Sequence, residues 1–199
     1  MKAVGIGYRV RKGGFTLIEL LVTIALAAIL MAIAVPSFQA FQRNSELTSI
    51  ANSLLASING ARGEAMKRGR YAMVVPTDGV NWSSGWIVFV DVDRSQSYAA
   101  SSDITITTAP PIPGYLTISG TGSASGSSPY ILYDASGYSK LTGTAGFGAS
   151  TFEIQRSDVS GAEQLKQTRR VKIASTGRVR VCTPISATDV NCSAIAATF

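Results

Sequence analysis

From Phe15 to Val35 run 21 residues, FTLIELLVTIALAAILMAIAV, in which Glu19 is the only charge and Thr16 and Thr23 are the only other polar side chains. As a helix this stretch spans roughly 30 Å, the thickness of a bilayer's hydrocarbon core. The segment is therefore expected to sit in a membrane. The basic residues ahead of it, Lys2, Arg9, Arg11 and Lys12, stay cytoplasmic by the positive-inside bias, which places everything after Val35 on the far side. An ordinary secretory signal carries a small-residue cleavage site after its apolar run, and no A-x-A boundary with a clean mature start follows here. The small pair Gly13-Gly14 precedes the run instead.

Composition removes several function classes. The 199 residues contain 18 Lys plus Arg against 12 Asp plus Glu, no His and two Cys. Chemistry that uses imidazole as base, nucleophile or metal ligand is excluded. No SxxK motif or pair of carboxylates in pocket-forming sequence appears, so the expectation is a protein that is not an enzyme, with no catalytic residue, cofactor or metal site. Asp91 and Asp93 follow a strand but lack the remaining ligands of a calcium loop. The glycine-rich run GTAGFG within Thr142 to Ser150 is neither a Walker loop nor a dinucleotide fingerprint. Four of the cations lie before residue 15, which leaves 14 basic against 12 acidic residues beyond Gly14, so any basic surface has to be argued locally. Cys182 and Cys192 fit neither a CxxC pair nor a zinc site, and a structural disulfide is the better reading, with a pair of free thiols the alternative.

Gly14-Phe15-Thr16-Leu17-Ile18-Glu19, behind a cationic leader and opening a long apolar helix, resembles the class III signal of type IV prepilins and type II secretion pseudopilins. The resemblance implies a leader of residues 1–14, cut after Gly14 by a membrane aspartyl prepilin peptidase that methylates the new amino terminus at Phe15. A lone carboxylate one turn into a membrane helix costs roughly 2.5 kcal/mol or more unless it is paired. The resemblance implies that Glu19 meets the amino terminus of a neighbouring subunit, an ion pair inside the apolar filament centre that makes it an assembly residue. A carboxylate snorkelling from a helix end is the alternative.

Beyond the membrane segment (15–36), Leu47, Ile50, Leu54, Ile58, Ala61 and Ala65 recur at three- and four-residue intervals, an amphipathic continuation of the helix over 37–69. Pro36 should kink or locally melt it. Residues 70–199 then form a β domain, with strand-like runs at 71–75, 86–90, 104–108, 115–118, 130–133, 151–154, 170–173 and 178–182. Turn residues between most of them predict a small antiparallel sheet packed on the helix, an α+β class, with a mobile loop from Ser119 to Pro129. Trp82-Ser83-Ser84-Gly85-Trp86-Ile87-Val88-Phe89-Val90-Asp91 resembles the WxxGWxVFxD stretch of the GspH/FimT subfamily of minor pilins, which implies a pilin fold; both Trp are expected in the core.

Between Gln164 and Thr188 there is no acid, while Lys166, Arg169, Arg170, Lys172, Arg178 and Arg180 supply six cations. In Arg170 to Ile173 and in Arg178 to Val181 cations alternate with β-branched residues, so each run is a strand with one apolar and one charged face. A hairpin that buries Val171 and Ile173 beside Val179 and Val181 needs an odd-numbered connection; Ala174-Ser175-Thr176 satisfies it, with Gly177 accepting a positive φ. Lys172 then faces Arg178 and Arg170 faces Arg180, an opposition of like charges that an anionic partner such as a phosphate backbone would relieve. Gly177-Arg178-Val179-Arg180 resembles the GRxR motif of FimT-like minor pilins, which implies nonspecific DNA binding for uptake in natural transformation, with Arg178 and Arg180 the contacts and Gly177 setting the turn. Lys166, Arg169, Arg170 and Lys172 are nominated by the strand pattern alone, and few aromatic residues flank the run to support stacking on single strands. The expected partners are other pilins and minor pilins, the prepilin peptidase, DNA, and the inner membrane before assembly into a surface pilus. A FimU-like structural pilin or a GspH-like secretion pseudopilin, without DNA binding, is the alternative.

Overall fold

A computed structural model describes residues 14–195; the leader expected at 1–14 lies outside it apart from Gly14. The chain forms two compact units, one ending at Arg43 and one beginning at Asn44. Helix α1, Leu17–Arg68, contributes to both.

In the first unit α1 is continuous through Pro36, so the local melting expected there does not occur. Its apolar side chains from Leu17 to Phe41 are exposed, and its best 18-residue window has a mean hydropathy of 2.7, long and apolar enough to cross a membrane. Thr16 and Glu19 cap its start reciprocally. Thr16 Oγ1 accepts from the Glu19 N–H at 3.3 Å, while the Glu19 carboxylate accepts from the Thr16 N–H at 2.8 Å. This T-x-x-E box was readable in the sequence and satisfies two otherwise unpaired helix-end donors.

In the second unit, Leu47, Ala51, Leu54, Ile58, Ala61 and Ala65 form one fully buried stripe of α1. Their alternating four- and three-residue spacing keeps them on one face, and each buried Leu or Ile stabilises the fold by roughly 1.5–3 kcal/mol. The helix closes at Gly69, whose φ of 64° lets the Arg70 N–H donate back to Ala65 O at 3.2 Å.

The strands are β1 (Tyr71–Pro76), β2 (Trp86–Asp91), β3 (Ile104–Thr108), β4 (Leu116–Thr121), β5 (Ile131–Tyr133), β6 (Ser139–Lys140), β7 (Ser150–Arg156), β8 (Thr168–Ile173) and β9 (Val179–Cys182), with a short helix α2 (Gly161–Lys166) before β8. They divide into two sheets, where the sequence suggested one: β3-β2-β1-β5-β6 and β4-β7-β8-β9. All pairings are antiparallel. Residues of both sheets share one core with the α1 stripe.

Trp82 and Trp86 are core residues. Trp82 packs edge-on against Phe152 at 4.7 Å and donates to Ala124 O, and Trp86 donates to Ser57 Oγ on α1, both bonds at 2.9 Å. The Trp82 bond holds a turn at Gly122–Ala124 whose Ser123 and Ala124 are buried. Of the segment expected to be a mobile loop, Ser119 to Thr121 end β4 and Gly122 to Ala124 form a packed turn, while Ser125 to Ser128 are an exposed bend. Gly85 has φ 91°, and a β-carbon there would sit 2.3 Å from Ala109 O.

Candidate nucleic-acid interface

Strands β8 and β9 form the expected hairpin, with Val171 opposite Val181 and Ile173 opposite Val179. Its register differs from the expected one by two residues: Lys172 opposes Arg180, and Arg170 opposes Cys182. The turn is the cause. The Gly177 N–H donates to Ala174 O at 2.8 Å and the Ala174 N–H donates to Arg178 O at 2.9 Å, so the loop residues are Ser175, Thr176 and Gly177. Gly177, at φ 83°, takes the left-handed position of a three-residue hairpin loop. The connection stays odd, which keeps the valines inward, but Arg178 now flanks the turn.

The larger correction concerns the charged face, which is covered. Lys172 is 0% exposed and Arg170 7%. The disulfide Cys182–Cys192, with Cα atoms 5.9 Å apart, ties the carboxyl-terminal segment to β9, and that segment turns its carbonyls onto the cations. Lys172 Nζ donates to Ser193 O at 2.9 Å and Ile195 O at 3.4 Å. Arg170 donates to Cys192 O and pairs with Glu153, its neighbour across β7, at 2.5 Å. Arg180, half-buried, donates to Asn191 O. Main-chain oxygens therefore relieve the like-charge opposition that the sequence assigned to an external anion. Burial first, then Arg180 and Arg170, pull the Lys172 ammonium below its ordinary pKa.

Arg169 faces away from this strip. It donates to Asn44 Oδ1 on α1 at 2.9 Å, and burial lowers its pKa. Lys166 is exposed at the end of α2 and lies 3.5 Å from Glu163. Of the six nominated cations, Arg178 and Lys166 are exposed, Arg180 and Arg169 are half-buried, and Arg170 and Lys172 are buried.

The turn bearing Arg178 is held from below. A β-carbon on Gly177 would lie 1.9 Å from Gly137 O, so this turn and the one at Asp134–Tyr138 meet backbone to backbone. Arg62 of α1 bridges them, donating to Gly137 O at 2.9 Å and Thr176 O at 3.5 Å, and the buried Tyr133 hydroxyl donates to Gly177 O at 3.3 Å. Sequence reading passed over Arg62: it is one polar-face cation on a helix, and nothing local marks its partner 114 residues away. An open groove of about 770 Å³ lies elsewhere, against the other face of the first sheet beside Met73, Ile87, Tyr98 and Tyr130; of its lining residues only Asp78 is charged.

The family model described as Type II transport protein GspH matches residues 51–177, and that described as the prokaryotic N-terminal methylation motif matches residues 9–35. The GspH match ends at Gly177, just before Arg178. No curated protein matches the chain. Among solved structures, the type IV minor pilin FimU of Pseudomonas aeruginosa is similar at 20% identity and a TM-score of 0.50, covering 71% of this chain and 91% of FimU. A second crystal form of FimU gives 19% identity, a TM-score of 0.47, and coverage of 67% and 90%. The likeness shows the fold: a long amino-terminal helix on antiparallel sheets.

Proposed function

Because the chain belongs to the GspH family and carries the methylation motif at the head of an apolar helix, it is a pilin-type subunit, and we propose that it is a minor type IV pilin that binds DNA at the turn of its β8–β9 hairpin. In this reading prepilin peptidase cuts after Gly14 and methylates Phe15. The apolar half of α1 anchors the subunit in the inner membrane, with the domain from Asn44 on the periplasmic side. Glu19, which caps its own helix in the free subunit, exchanges that role for a neighbour's amino terminus during assembly into a surface pilus. The division into leader, membrane segment, amphipathic helix and β domain belongs to the same reading.

The observation that carries DNA binding is Arg178, exposed beside a turn that Gly137 and Arg62 hold in place. A forked donor on a fixed support loses little freedom when it meets a phosphate. With Arg170 and Lys172 covered, the contact at the turn reduces to Arg178 and the half-exposed Arg180, so about two phosphates are neutralised, and the log-log salt slope is about −0.9 for each on duplex and about −0.7 on a single strand. Phosphate contacts read no base sequence, so binding is nonspecific.

A second reading, a structural pilin or pseudopilin without DNA binding, is favoured by the covering of Arg170 and Lys172. Gel-shift titration of the full chain in nonionic detergent, wild type against Arg178→Ala, separates the two. Weaker retardation of the variant is expected. Equal retardation removes Arg178 from the interface, and no retardation of the wild type leaves the structural reading.

A further inference from the structure

The hairpin turn has a neighbour that the sequence places far from it. Tyr138 and Phe147 are 43% and 56% exposed, with ring centroids 5.4 Å apart in an edge-on arrangement. The Lys140 ammonium stands 4.1 Å from the Phe147 centroid and donates to Ala145 O at 2.6 Å. A single bridge pairs Lys140 with Phe147, so β6 and the GTAGFG loop hold the group together. This edge is fastened to the β8–β9 turn: the Ser139 N–H donates to Ser175 O at 3.1 Å, and Gly137 meets Gly177. One exposed aromatic residue means little, but an aromatic pair with a cation over one ring, beside a turn that presents an arginine, combines base-stacking surface with phosphate-binding charge.

We infer that Tyr138 and Phe147 form a stacking platform for unpaired bases, with Lys140 and Arg178 on the adjoining phosphates, so that this end of the domain takes single-stranded nucleic acid in preference to duplex. The inference rests on the proposed DNA binding at the same turn and names its ligand. Among the described residues, the few cations uncovered at this turn would hold a duplex only weakly through its backbone. Unpaired bases add the contact that duplex stacking denies, and every base has a face to offer. The shortage of aromatic residues near the basic run holds along the chain, but the segment that carries Tyr138 and pairs with Phe147 is bonded to the hairpin turn from the other sheet's edge.

The test is fluorescence anisotropy on the full chain in nonionic detergent, with a labelled oligothymidylate of about 15 nucleotides and a duplex of equal length at one salt concentration. The wild type should bind the single strand more tightly. Phe147→Ala should weaken single-strand binding about fivefold or more, with Phe147→Trp retaining it, while duplex binding stays unchanged. Arg178→Ala should weaken both. If Phe147→Ala and Tyr138→Ala leave single-strand affinity unaltered while Arg178→Ala still lowers it, the platform is overturned and the phosphate reading stands. No binding of either probe by the wild type overturns both.

Discussion

The glycine of the Gly-Arg-Val-Arg run is the sharpest point at which a structural role can be told from a ligand-binding one. Replacing Gly177 by alanine would place a methyl group 1.9 Å from Gly137 O, a backbone atom that can retreat only if the whole Asp134–Tyr138 turn moves. Holding an alanine at φ 83° costs about 1–2 kcal/mol by itself. Restoring an ordinary contact drives the two turns apart by more than an ångström and stretches three hydrogen bonds between them: Arg62 to Thr176 O, Ser139 N–H to Ser175 O, and the buried Tyr133 hydroxyl to Gly177 O. At about 1 kcal/mol for each bond substantially weakened, and allowing for partial relaxation, Gly177→Ala should cost about 3–4 kcal/mol. Urea unfolding of the full chain in detergent, followed by far-ultraviolet circular dichroism, measures it. Arg178→Ala, at the next position and exposed, should fall within about 0.5 kcal/mol of wild type. A Gly177→Ala protein within 1 kcal/mol of wild type would refute the backbone packing of the two turns.

Serine at both Cys182 and Cys192 opens a loop with a sequence separation of 10 and should lower stability by about 2–3 kcal/mol in the same unfolding assay. Lys172→Met should leave nucleic-acid affinity unchanged, because the ammonium is already committed to Ser193 O and Ile195 O; a loss of affinity would show that the carboxyl-terminal segment lifts off to admit the ligand. The Asp189 carboxylate is held below its ordinary pKa by the N–H groups of Ile185 and Cys192. Its stabilising effect is therefore present above the unfolded value of about 3.9 and fades as pH falls through the lower folded one. An NMR titration of the Ile185 and Cys192 amides should show a midpoint below that value, and a midpoint at or above it would contradict these bonds. Leu54→Ala, in the fully buried stripe of α1, should cost about 2–5 kcal/mol.

Much of this architecture is legible in the residues themselves. The spacing from Leu47 to Ala65 specifies one buried helical face, and β-branched runs between turn residues locate eight of the nine strands among the described residues. The ninth, β6, has two residues, too few for any alternation to show. Alternation also fixes which side chains share a face without saying which strands become neighbours, so the division into two sheets was not readable. The same limit explains the hairpin. Parity demands an odd loop, and both Ala174–Thr176 and Ser175–Gly177 supply one. Only the hydrogen bonds across the turn select the second, which moves every opposed pair by two residues.

The covered cations show a different limit. A lysine or arginine is visible in a sequence, whereas the group that neutralises it here is a carbonyl, which every residue has. The one local hint was the cysteine pair, because a bond from β9 to Cys192 brings the carboxyl-terminal segment back against the strand that carries Arg180. That segment divides the basic run by role. Arg170 and Lys172, both buried, hold the chain's end against the sheet, with the half-exposed Arg180 also donating to it, so changing Arg170 or Lys172 should register first as stability or local opening. Arg178 flanks the turn at the far end of β9 from Cys182, next to the Thr176–Gly177 backbone that Arg62 holds, and changing it should register as binding with the fold intact. If Arg170→Met and Arg178→Ala instead weakened DNA binding equally at equal stability, the run would be acting as one surface, and the covering segment would have to be mobile in solution.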